Sequence, residues 1–236
     1  MAGQEKLEKL IISYYFPLDN DAVIDAKYNL KQLTVCQHLN ILSPQDEIKK
    51  RRFADMFADI YDVENGIKKN AHLLQIMARH KDTLENLEIC VRGENFMEFI
   101  MKNLKVRRLF ITAELLPTNH QVYEEIHPNF YLKELIICHK IQNSEALQGL
   151  FQTYPKIECF IIKDWQGVVI NEVLIDIVST LKNLKYLHLH KVTFNTPDAP
   201  MPSLRTFKVD FLNRIENFLA FCFNIPSIEH LTVNGC

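Results

Sequence analysis

One six-residue phrase returns along this chain, and its spacing leaves few folds open. "LENLEI" at 84 is matched by "LEKLII" at 7, "LKQLTV" at 30, "VRRLFI" at 106 and "LKELII" at 132. The series continues with "IECFII" at 157, "LKYLHL" at 184, "LRTFKV" at 204 and "IEHLTV" at 228. Aliphatic residues hold positions one and six, and Leu or Phe holds position four. Successive starts lie 23, 54, 22, 26, 25, 27, 20 and 24 residues apart, and 54 is twice 27.

Alternation across positions four to six is the signature of a short strand with one buried face. Position one lies three residues before position four, where alternation does not require an apolar residue; it anchors the turn that enters the strand. A single unit of this kind cannot bury its apolar face alone, so units must stack, each adding one short parallel strand and returning along the opposite side. An ordinary α/β sheet also alternates strands with helices, but its connections vary more in length and keep no six-residue phrase.

The unit resembles a leucine-rich repeat, L-x-x-L-x-L followed by a return segment, over nearly the whole chain. That resemblance implies an α/β solenoid, a horseshoe with a parallel β-sheet on the concave face and mostly helices on the convex face. It also implies one domain over 1–236 of about nine irregular repeats. The returns read mostly as helices at 94–103, 144–155, 171–183 and 216–224, whereas 192–203, with three prolines, reads as extended. Between 36 and 84 two helices read near 45–62 and 67–81, so 40–83 is a helical insertion or a degenerate repeat. The repeat starts at Leu7 and stops at Cys236 without a capping element, as expected either of a piece of a longer protein or of a stack capped by a partner chain.

The ninth position of each unit carries no asparagine ladder, and the six cysteines form no Cys-x-x-Cys pair or disulfide-rich cap. Variable helical returns, with Cys after the strand, look most like the repeat part of intracellular F-box/leucine-rich-repeat proteins. In that family the repeats grip a substrate while an F-box binds the ubiquitin-ligase scaffold. No F-box-like segment reads in this chain, so contact with such a scaffold requires a region absent from it.

Charge and composition narrow the function classes. With 27 basic and 29 acidic residues the net charge is −2, which argues against a dedicated binder of nucleic acid or anionic membrane. No apolar run is long enough for a membrane helix, the first residues are charged rather than signal-like, and a cytoplasmic or nuclear location is expected. Six glycines and neither G-x-G-x-x-G nor G-x-x-x-x-G-K leave no phosphate-cradling loop. No acid/base pair or nucleophile constellation reads from the residue types, so a non-enzyme without cofactor or metal is expected.

Positions three, five and seven point away from the core, onto the face where a partner protein would sit. Position five places Phe110, Ile136 and Ile161 side by side, rimmed by Arg108, Glu134, Lys163, Tyr186, His188 and His190. Exposed apolar strips with a polar and aromatic rim are typical recognition surfaces. Cys90 and Cys138 occupy equivalent places two units apart, about 10 Å at ordinary strand spacing, too far for a disulfide. His188 and His190 share a face but have no evident third metal ligand. The expected function is therefore a non-catalytic protein-recognition scaffold, by resemblance the substrate-binding part of an SCF-type ubiquitin-ligase receptor. The alternative is an RNA-binding or nuclear-export adaptor using Arg107, Arg108, Lys133, Lys185, Arg205 and Lys208, a row interrupted by Glu85, Glu88, Glu134 and Glu158.

Overall fold

A computed structural model describes residues 7–13, 29–36, 63–90, 96–112, 115–117, 119, 121–138, 144–163, 173–190, 201–210, 218–219, 222–223 and 225–235. Each of the nine phrases leads into one five-residue strand that runs from position three to position seven: β1 (Lys9–Ser13), β2 (Gln32–Cys36), β3 (Asn86–Cys90), β4 (Arg108–Thr112), β5 (Glu134–Cys138), β6 (Cys159–Lys163), β7 (Tyr186–His190), β8 (Thr206–Asp210) and β9 (His230–Asn234). They form a single sheet in sequence order, and every neighbouring pair is parallel. Helices α1 (Val63–Arg79), α2 (Phe96–Asn103), α3 (Gln121–Glu124), α4 (Ser144–Thr153) and α5 (Val173–Ser179) lie in the returns. The protein is thus α/β, with an all-parallel sheet.

The register aligns position with position: Leu33 pairs with Leu87, Leu109 with Leu135, and Leu187 with Phe207. Strand β2 pairs directly with β3, so the 54-residue interval adds no strand between them. The described part of that interval is α1, which overlaps the helix expected at 67–81. The one expected at 45–62 lies outside the described residues, as do most of 192–203 and 216–224.

Two rows of hydrogen bonds stitch the units where the strands begin. The position-two carbonyl of each unit accepts from two successive amides of the next: Glu158 O, for example, accepts from Lys185 N at 2.8 Å and Tyr186 N at 3.0 Å. The pattern repeats through Glu8, Lys31, Glu85, Arg107, Lys133, Lys185 and Arg205. A second row comes from side chains just before position one. Thr83 Oγ1 donates to Leu30 O at 2.8 Å, Ser203 Oγ to Lys182 O at 2.8 Å, and Ser227 Oγ to Met201 O at 3.1 Å. These contacts satisfy turn carbonyls that would otherwise lack partners beneath the sheet.

The core is the stack of positions one, four and six. Leu30, Leu33, Leu109, Ile111, Leu132, Leu135, Phe160 and Phe207 are all fully buried. The helices close it from the other side, with Phe151 of α4 edge-on to Phe160 of β6 at 5.0 Å and 89°. Helix α4 ends where Thr153 Oγ1 bonds Gly149 O at 3.0 Å and Pro155 follows.

Gly149 is a position of close approach rather than of unusual backbone. A Cβ there would lie 2.5 Å from Tyr123 Cγ and 3.0 Å from Tyr123 Cβ, near the root of a buried ring that cannot swing away. Gly149→Ala is therefore expected to lower stability by about 1–2 kcal/mol, overpacking outweighing the better helix propensity of alanine. Urea unfolding followed by circular dichroism reads the change directly.

Candidate recognition face

The sheet face opposite the helices carries positions three, five and seven. On β3, β6, β7 and β8 burial alternates strictly, with the core positions covered and the others partly exposed. All nine residues singled out from the sequence lie on this outer face. Register forms them into rows: Arg108, Glu134, Cys159 and Tyr186 across β4 to β7, and Phe110, Ile136, Ile161 and His188 parallel to it.

Ile136 departs from the expected exposed strip. It is only 2% exposed, and Ile137 and Cys138 beside it are buried too, so β5 is covered on both faces. The reason lies on the flanking strands. Lys163 on β6 places its ammonium 5.8 Å from the centroid of the Phe110 ring on β4, a cation–π contact that spans β5 and shields Ile136. Phe110 and Ile161 remain partly exposed. The apolar strip is therefore roofed at its middle, and what faces water is a mixed aromatic and charged surface.

Charge on this face is arranged in cross-strand pairs. Arg108 Nε lies 3.3 Å from Glu134, and a cavity of about 150 Å³ beside it is lined by Gln32, Asn86, Glu88, Arg108 and Phe110. Toward β9, His188 Nε2 and Asp210 Oδ2 are 2.6 Å apart, Asn234 donates to Asp210 Oδ1 at 2.8 Å, and Lys208 Nζ lies 3.7 Å from the same carboxylate. Burial lowers the His188 pKa, against the opposing pull of Asp210, so the neutral imidazole is favoured and Nε2–H donates to the carboxylate. Burial works to raise the Asp210 pKa, yet the hydrogen bonds from Asn234 and His188 hold it below its ordinary value. This Asn–Asp–His chain was not legible in the sequence, because it runs diagonally between position five of one unit and position seven of the next.

The described residues of these rows present no activated nucleophile. Cys159 is the nearest thiol in the rows, and burial, helped by Glu134, pushes it up to about 12, so it stays protonated. Among the described residues no three His, Cys, Asp or Glu side chains are grouped to hold a metal, and no helix is long and apolar enough to cross a membrane.

Along the strand-start edge, position-two side chains pair between units: Lys31 with Glu8, Lys133 and Lys185 both with Glu158, and Arg205 with Glu229. The two lysine hydrogen bonds hold the Glu158 pKa down to about 2. The cationic row expected from the sequence is thus largely neutralised by its own carboxylates. No family model, no curated protein and no solved structure matches this chain.

Proposed function

We propose that the chain is a leucine-rich-repeat scaffold of the intracellular kind, with the sheet on its concave side, that recognises another protein across the outer face of β4–β8. The observation that carries this reading is the face itself. Phe110, Ile161, Tyr186 and His188 are partly exposed on rigid strands and held by the Lys163, Arg108–Glu134 and His188–Asp210 contacts. Side chains ordered before a partner arrives lose less entropy on binding, and aromatic and arginine anchors dominate protein interfaces. The finer reading is a substrate-recognition role in an SCF-type ubiquitin ligase in the cytoplasm or nucleus. It rests on the resemblance of the repeat to F-box/leucine-rich-repeat proteins, with the ligase scaffold engaged by a region outside these residues.

Affinity capture from cells, with identification and quantification of bound proteins, tests the reading. The double variant Phe110→Ala/Tyr186→Ala is expected to lose a specific partner by at least roughly tenfold. Gln148→Lys, exposed on the return helix α4, should retain it. Thermal melts of both variants should stay cooperative. Equal capture by the double variant and the intact protein would remove this face from the recognition surface.

A further inference from the structure

A groove at the strand-start edge of the sheet plays no part in the protein-recognition reading. It encloses about 380 Å³ and is lined by Lys105, Arg107, Phe130, Tyr131, Lys133 and Glu158, together with Glu85. Phe130 is 56% and Tyr131 54% exposed, while Leu132 immediately after them is fully buried. These rings are held outward by a built loop. Asn129 N donates to Thr153 O at 2.6 Å, its Nδ2 donates to Leu104 O at 2.8 Å, and its Oδ1 accepts from Tyr131 N at 3.0 Å. One residue thus ties the loop to the end of α4, to the preceding unit and to itself.

The charges around the rings are unbalanced. Lys105 places its ammonium 5.3 Å from the Tyr131 ring centroid. Arg107 makes no ion pair among the described residues. Lys133 and Lys185 share one carboxylate, Glu158, at 2.9 and 2.7 Å. Three cations, Lys105, Arg107 and Lys133, therefore line the groove against two acids, Glu85 and Glu158, beside two rings that are each more than half exposed.

From this geometry we propose that the groove binds single-stranded nucleic acid, with bases stacked on Phe130 and Tyr131 and phosphates at Lys105 and Arg107. An acidic peptide would satisfy the cations but leave the rings in water, whereas an apolar peptide would cover the rings and leave the cations unmatched. Unpaired bases on a phosphate backbone engage both, since every base offers a flat face and every linkage a negative charge. A duplex hides its bases and would engage only the charges.

Fluorescence anisotropy of the intact chain with a labelled oligouridylate tests this at low and at physiological salt. Binding is expected to weaken as salt rises. Tyr131→Ala should weaken it roughly tenfold through lost stacking, and Tyr131→Phe should preserve it. Arg107→Gln should weaken it and flatten its salt dependence. Absence of binding at low salt, unchanged affinity for Tyr131→Ala, or equally effective displacement by duplex RNA or polyglutamate would each overturn the proposal. Phe110→Ala/Tyr186→Ala should bind the oligonucleotide normally, so the two functional readings can fail separately.

Discussion

Ile136→Asp is expected to destabilise the protein by about 4 kcal/mol or more, a loss that lowers the melting temperature by roughly 10 °C in a chain of this size. The substitution places a carboxylate at a site 2% exposed to water, beneath the Phe110–Lys163 contact and between Phe110 and Ile161 on the neighbouring strands. Lys163 lies on the adjacent strand, but its ammonium is engaged with the Phe110 ring. The new acid must therefore either take up a proton or break the roof. Ile136→Val should cost no more than about 1.5 kcal/mol, since it removes one methylene and adds no polar group. A melt of Ile136→Asp indistinguishable from wild type would mean that β5 is open to solvent, as the alternation of its sequence alone implies.

Phe160→Ala should cost about 3–5 kcal/mol. Phe160 occupies position four, is fully buried and meets the Phe151 ring edge-on, so its removal leaves a void shared by β6 and α4. Leucine fills position four in most other units, so Phe160→Leu should recover much of the loss. Urea unfolding of the three proteins measures the series. Hydrogen exchange should show protection lost first in β5, β6 and β7, because each unit leans chiefly on its immediate neighbours. If Phe160→Ala costs no more than alanine at partly exposed Thr206, position four does not form the spine of the stack.

Much of this architecture was readable in advance because the repeat makes the same demand nine times. Apolar residues at positions one, four and six have only one way to be buried together, and that fixes strand direction, order and register. Alternation assigns each side chain to a face, however, and says nothing of what covers it. That is why Ile136 read as exposed: its cover comes from Phe110 and Lys163, on strands either side of its own. The same limit hid Asp210 and Asn234 as partners of His188.

The edge groove escaped for another reason. Phe130 and Tyr131 belong to a return segment, where the phrase imposes no pattern. Two aromatics directly before the position-one leucine, in "NFYLKEL", were the available signal. Their exposure depends on Asn129, whose three hydrogen bonds reach into two other segments. The expected basic row had the opposite fate, because carboxylates at matching positions face Lys133, Lys185 and Arg205 from adjacent units.

The direct pairing of β2 with β3 has a practical corollary. Two rungs whose phrases begin 54 residues apart meet in the same alignment as rungs with half that separation or less. Rung geometry is thus decoupled from the length of chain that links one rung to the next. A graft between these two strands is accordingly expected to leave the sheet in register as long as Leu73, Ile76 and Met77 of α1 stay in the core.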